Sequence, residues 1–279
     1  MDAPYARLEP VAPGIARVLA HNPSAFTYYG TQTYLLGDDT VAVIDPGPDL
    51  PEHIEALIAA IGGRPVSSIL VTHTHRDHSP AARPLAEATG APVIGCAPLM
   101  MEGTGLEAGF DPDYAPERVL SDSDEIAVAG DALIAVATPG HTSNHLCFAW
   151  RGALFTGDHV MGWSTTVVVP PDGDMAQYMA SLDKLCGRDD TVYYPAHGPA
   201  VTNPQQYVRH LIGHRMQREK QILRLVREQP RDIPGIVAEA YPALDPRLVT
   251  AAGASVLAHL LDLERRGLVV REGNLWTAA

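Results

Sequence analysis

The chain has 279 residues, 46% of them hydrophobic, and a formal charge of -13. That length suits one large α/β domain with a small second one, and the lack of any run of about 20 apolar residues excludes a membrane-spanning helix. Residues 1–204 hold 9 Lys/Arg against 25 Asp/Glu, whereas 205–279 hold 11 against 8, so an acidic front lobe works against a tight grip on long polyanions. The first thirteen residues contain Asp2, Glu9 and three prolines and no apolar stretch, so no signal peptide is expected. Cys96, Cys147 and Cys186 are far apart and form no CxxC, which fits a reduced cytoplasm better than a disulfide framework.

Ile15–Leu19, Thr33–Leu36 and Val41–Ile44 read as strands, the last two joined through Gly37-Asp38-Asp39. Asp45-Pro46-Gly47 closes the third. Asp45 is either a carboxylate that orients a ligating histidine or an ordinary turn former. Glu52–Ile61 has helical spacing at Ile54, Leu57, Ile58 and Ile61. The branched run Ile69-Leu70-Val71 reads as a buried strand that delivers His73-Thr74-His75-Arg76-Asp77-His78 into a loop at its carboxyl end. Alternation places His73 and His75 on one side of the chain. One ion cannot easily use all four donors, so the stretch suggests two adjacent ions, one on His73 and His75 and one on Asp77 and His78.

Pro80–Thr89 reads as a short helix whose first turn begins at Pro80 or at Pro84. Pro92–Gly95 is a short strand. Ala97–Pro116, rich in Gly and Pro, is a long irregular stretch of the kind that covers sites. Ile126–Val128 and Leu133–Val136 follow as strands. The latter leads into Thr138-Pro139-Gly140-His141, strand Ala153–Thr156 into Gly157-Asp158-His159, and strand Val192–Tyr194 into Pro195-Ala196-His197-Gly198. With the first motif, these make seven donors just beyond strand ends, enough for two coordination shells. Cys147, between Leu146 and Phe148, reads as a buried strand residue.

In the tail, Gln205–Glu228, Ile233–Ala240 and Arg247–Arg266 read as helices, the last with Leu257, Leu260, Leu261 and Leu263 as its apolar side. Leu268–Arg271 and Asn274–Thr277 form a terminal hairpin around Glu272-Gly273. Helices followed by a hairpin suggest a winged helix. Its would-be recognition helix is rich in Ala and Leu and lacks base-reading side chains at its middle, so packing against the catalytic lobe or a second subunit is favoured over DNA.

The order HxHxDH, GH, GD, then a late HG resembles the metallo-β-lactamase fold superfamily over residues 15–200. The resemblance implies an α/β fold, an αββα sandwich with metals at one edge of its two sheets. It also implies that His73, His75 and His141 hold one ion, that Asp77, His78 and His197 hold the other, and that Asp158 bridges them. A closer likeness, carried by Thr72 to Ser79, by Gly157-Asp158 with Thr165-Thr166, by Tyr194 to Pro199, and by His214-Arg215 with Arg218-Glu219, is to the β-lactamase-like endoribonuclease of mitochondria. That subgroup carries a small C-terminal winged-helix-like domain. The chain departs from it at Pro80-Ala81, where many relatives have two glycines. The expected division is 1–204, a metal-dependent hydrolase domain, and 205–279, the winged-helix-like domain.

Two ions lower the pKa of a shared water and polarise the bond to be broken. The expected reaction is hydroxide attack on a carbonyl carbon or a phosphorus, with Asp77 binding metal and orienting the nucleophile. His145 either stabilises charge or protonates a leaving group, or it is a histidine that packs or supports the ligands from behind, and Ser164, Thr165 and Thr166 are either pocket residues or a polar loop. Three functions compete: a hydrolase of small esters, thioesters or lactones, a single-strand endoribonuclease, and a nucleic-acid-binding regulator with a metal-sensing lobe. Five His and two Asp suit Zn²⁺ and also accept iron or manganese.

Overall fold

The structure is a computed structural model describing residues 3–99 and 109–279. Its contacts divide the chain into two compact units. The first comprises 1–137, 144–164 and 190–202; the second comprises 138–143, 165–189 and 203–279.

The first unit holds two sheets. Seven strands lie in sequence order: β1 Leu8–Ala12, β2 Ile15–Leu19, β3 Gln32–Leu36, β4 Val41–Ile44, β5 Val66–Val71, β6 Val93–Gly95 and β7 Arg118–Val119. The pairs are antiparallel up to β4 and parallel from β4 to β7. The second sheet runs β12 Val192–Pro195, β11 Ala153–Gly157, β10 Leu146–Trp150, β9 Asp131–Ala137 and β8 Glu125–Val128. Strands β3, β4, β10 and β11 are buried at every residue, as strands covered on both faces must be. Residues of both sheets, among them Val43, Ile69, Leu133, Phe148 and Phe155, form one core. Tyr34 meets Phe155 edge-on at 5.0 Å and donates its hydroxyl to the Pro195 carbonyl at 2.7 Å. Helices α1 Pro51–Ile61 and α2 Ala82–Thr89 complete the unit.

The second unit is built from α3 Met175–Cys186, α4 Pro204–Glu228, α5 Ile233–Ala240, α6 Val249–Arg265 and the hairpin β13 Val269–Glu272 with β14 Leu275–Ala278. Ile222, Leu225, Ile236, Val256, Leu260, Leu263 and Trp276 form its core. The fold is therefore the expected α/β sandwich with a C-terminal winged helix. Among the described residues no helix is long and apolar enough to cross a membrane.

Several expectations need correction. Helix α2 starts at Ala82, not at Pro80 or Pro84. Ser79 spends its hydroxyl on Asp111 Oδ2 and its carbonyl on the Ala82 N–H, and Pro84 falls in the first turn, where its missing N–H costs nothing. The expected helix 247–266 is a 3₁₀ turn, Pro246–Leu248, followed by α6, because the Asp245 carboxylate accepts the Arg247 N–H and tightens the start. Its buried side is Val256, His259, Leu260 and Leu263, whereas Leu257 and Leu261 are half-buried. Strand β1 and helix α3 were not anticipated. Residues 100–108 of the expected covering loop lie outside the described residues. On its described flank, Asp111 N–H donates to Thr74 O, Arg76 N–H donates to Gly109 O, and Phe110 stacks on His75.

Candidate metal centre

Strand β5 ends at Val71, and the next seven residues bring four donors to one point. Asp45, at the end of β4, organises them. Its φ is +48°, unusual for a residue with a Cβ. Asp45 N–H donates to Leu70 O at 2.8 Å, and the Thr33 hydroxyl donates to Asp45 O at 2.7 Å. Its carboxylate accepts from Thr72 N–H on Oδ1 at 2.8 Å, and from Thr72 Oγ1 at 2.8 Å and His78 Nδ1 at 3.0 Å on Oδ2. Of the two roles open to Asp45, the structure selects the orienting one.

These hydrogen bonds assign the tautomers. Thr72 Oγ1 gives its proton to a carboxylate, so it accepts from His73 Nδ1–H at 3.0 Å, and His73 Nε2 carries a lone pair. His78 Nδ1–H is taken by Asp45 and His197 Nδ1–H by Gly30 O at 3.2 Å. In the neutral rings, the form that binds a metal, their Nε2 atoms therefore also present lone pairs. His73 Nε2 faces His75 Nδ1 at 2.9 Å.

Two groups of donors result. His73, His75 and Asp158 stand in one, and Asp77, His78 and His197 in the other. Asp158 reaches both, because its Oδ1 lies 3.5 Å from His78 Nε2 and 3.2 Å from His197 Nε2. Asp77 Oδ2 lies 3.4 Å and 3.2 Å from the same two nitrogens. Separations of 3.2 to 3.5 Å are of the size found between two ligands of one zinc ion, whose bonds to nitrogen and oxygen are about 2.0 to 2.1 Å long. His78 Nε2 is buried and makes no hydrogen bond among the described residues. A buried imidazole nitrogen with no hydrogen-bond partner, set beside two carboxylates, fits a divalent ion.

Electrostatics point the same way. Burial alone would raise the Asp77 and Asp158 carboxyls, yet His78 and His197 hold both well below the usual range. Burial would lower His78, but Asp77, Asp158 and Asp45 hold it well above its ordinary value, and Asp158 and Asp77 push His197 up to about 10. The two carboxylates thus demand positive charge at this spot.

The other candidates are distributed as follows. His145 is buried, and its Nε2 accepts the Asp158 N–H at 3.2 Å. Gly157, beside it, has φ +48°, and a Cβ there would come 2.7 Å from His145 Nε2 and 2.8 Å from Thr72 Oγ1. Thr31, not singled out in the sequence, donates its hydroxyl to Asp77 Oδ2 at 3.1 Å and accepts from Asn22 Nδ2 at 2.9 Å. No local motif marks Thr31, and Thr72, though it opens the stretch that carries the resemblance, has no role legible there. His141 belongs to the second unit, where its Nδ1–H donates to Val167 O at 2.7 Å and leaves Nε2 with the lone pair. Ser164 and Thr165 are half-buried, and Thr166 is buried with its carbonyl bound by Arg215. Cys147 is buried in β10, as expected.

The sandwich and its His/Asp clusters define a metal-dependent hydrolase. Residues 27–197 match the model of the metallo-beta-lactamase superfamily, and residues 233–276 match that of the beta-lactamase associated winged helix domain. The chain belongs to the metallo-beta-lactamase superfamily. It is 32% identical over 268 residues to a beta-lactamase-like protein 2 homolog of Drosophila melanogaster, covering 91% of this chain and 88% of that one. It is 33% identical over 218 residues to an atrochrysone carboxyl ACP thioesterase of Aspergillus fumigatus, covering 76% and 65%. A beta-lactamase domain protein from Burkholderia ambifaria has the same fold, with a TM-score of 0.84 and 22% identity over 100% of this chain and 95% of that one.

Proposed function

We propose that the protein is a binuclear zinc hydrolase of a small thioester. His73, His75 and His141 would hold one ion, Asp77, His78 and His197 the other, and Asp158 would serve both. The observation that carries this is the set of donors: His73, His75 and Asp158 form one group, and Asp77, His78 and His197 form the other, with Asp158 Oδ1 at 3.5 and 3.2 Å from two of its nitrogens. When bound, the ions acidify a water and polarise the scissile carbonyl. The chain's residues do the rest. Asp77, steadied by Thr31, orients the attacking water, and His145 positions Asp158 through its backbone N–H. Ser164 and Thr165 contact the substrate, while Thr166 acts through its backbone.

Three considerations favour a thioester, the first and third over an ester or lactone and the second over a long polyanion. A thiol with a pKa of about 8.5 departs without a proton, unlike an alkoxide, which suits a site whose His145 is committed to Asp158. The acidic front lobe disfavours long polyanions. The relatives include proteins named as ACP thioesterases. The three thiols, in no disulfide, fit a cytoplasmic setting.

A single-strand endoribonuclease is the second reading. Phe26, Tyr28 and Tyr29 are exposed, and Tyr28 stacks on Trp163 at 5.1 Å, on the loop whose Gly30 carbonyl holds His197. Such aromatic faces stack bases as readily as they cover an acyl chain. A DNA-binding regulator is disfavoured, since Arg265 and Arg266 at the end of α6 are already paired with Asp174 and Glu219, each at 2.6 Å.

The test is metal analysis of the purified protein, then a panel of acyl thioesters, lactones, β-lactams and RNA, beside Asp158→Ala. Two zinc ions per chain and thioester turnover lost in the variant support the proposal. RNA cleavage that weakens steeply with salt, without thioester turnover, replaces it with the second reading.

A further inference from the structure

The loop carrying His141 groups by its contacts with the C-terminal helices, although β9 and β10 flank it in sequence. Five hydrogen bonds tie it to residues 165–189 of the same unit. Ser181 Oγ of α3 donates to Pro139 O at 2.8 Å, and Asp174 N–H donates to Gly140 O at 2.9 Å. Ser143 donates its N–H to Asp172 Oδ2 at 3.0 Å and its hydroxyl to Oδ1. His141 Nδ1–H donates to Val167 O at 2.7 Å. Gly140 has φ +136°, and a Cβ there would come 2.3 Å from the Tyr178 backbone, so the loop lies directly on α3.

A second layer lies beneath. Arg215, in the middle of α4, donates through Nη2 to Thr166 O, the carbonyl one peptide before Val167, and its Cζ lies 5.2 Å from the Tyr178 ring centre. Arg215 is 3% exposed and forms no ion pair with a carboxylate among the described residues. Burying a guanidinium without an acid costs several kcal/mol unless its donors are used well. Here Nη2 binds the Thr166 carbonyl and the group faces the Tyr178 ring of α3, while Nε has no hydrogen-bond partner among the described residues, so the burial is spent on the carbonyl next to the one that holds His141.

We infer that Arg215 is a positioning residue of the metal centre: through the Thr166–Val167 segment it fixes where His141 stands. The C-terminal helices are then a working part of the hydrolase, not a module appended to it. This rests on the proposal that His141 is a metal ligand.

The test uses the full chain, stripped of metal and titrated with zinc against a competing chelator, as wild type, Arg215→Met, Arg215→Lys and His141→Ala, with circular dichroism alongside. Wild type is expected to show two sites. Arg215→Met should weaken one of them about 10- to 100-fold, the usual effect of losing a group that orients a ligand, while the other stays within about 2-fold. The weakened site should be the one His141→Ala loses, and Arg215→Lys, which keeps a cationic donor, should recover part of the loss. A merely structural role would lower both affinities together with Tm. A folded Arg215→Met that binds both ions as wild type does, or loses both in parallel, overturns the inference. Should Arg215→Met not fold, native-state hydrogen exchange of the wild type decides. Amides of residues 140–143 and 167–174 should open with α4, and protection that follows β9 and β10 instead refutes it. A wild type binding fewer than two ions sinks the binuclear proposal alone, and the exchange measurement still judges Arg215.

Discussion

Asp45 Oδ2 accepts the Nδ1–H of His78 at 3.0 Å, across 33 positions of sequence and between the ends of two adjacent parallel strands. The same carboxylate binds Thr72 twice. One residue therefore sets the ring of His78 and, through the Thr72 hydroxyl, the tautomer of His73. Asp45→Asn keeps the volume but cannot accept on both sides. It should weaken metal binding about 10- to 100-fold, as chelator competition would show. Unchanged affinity for both ions would refute the orienting role.

Gly157→Ala tests how closely the centre is packed. Its methyl would enter the space of His145 Nε2 and Thr72 Oγ1 at a left-handed φ. We expect a loss of about 1 to 3 kcal/mol in urea unfolding, from strain and overpacking together. Metal content should fall with it, read by elemental analysis of the purified variant.

His259 gives the second unit a pH dependence. Burial and the cations Arg215, Arg218, His214 and Arg266 push it down to about 3. It stays neutral in the folded protein while the unfolded chain takes up a proton below about 6.5. Its contribution is therefore present above pH 6.5 and is lost as pH falls toward 3, by at most about 1.4 kcal/mol per unit. Between pH 6.5 and 5, His259→Leu should flatten the decline of the denaturation midpoint; equal slopes for both proteins would reject this.

Asp174 caps α3 by accepting the Gln177 N–H at 3.0 Å and pairs with Arg265. Asp174→Ala should cost about 1 kcal/mol, mostly from the lost cap, because Arg265 is 52% exposed and such pairs contribute little. Arg265→Ala measured in parallel by thermal unfolding separates the two, and a larger loss in that variant would reverse the assignment.

Much of this molecule was legible in its residues. Branched runs such as Val41–Ile44 and Ile69–Val71 can hardly be anything but buried strands, and polar donors following each strand end mark the edge where a site forms. Helix α3 is not among the expected elements, although Met175, Tyr178, Leu182 and Leu185 have helical spacing and Asp174 is a good cap. The roles of Thr31, Thr72 and Arg215 escaped for a physical reason, although the last two stand in stretches that carry the family resemblance. A hydroxyl or a guanidinium in an ordinary stretch has no period, and its partner lies far along the chain.

The sequence by itself determined the chemistry of the centre, because donor type and strand-end placement are local properties that survive without coordinates. Only the tertiary structure decided which nitrogen each histidine presents and which elements hold His141. Those depend on hydrogen bonds between residues tens of positions apart, made only once β4 lies beside β5 and α3 and α4 close over residues 165–174.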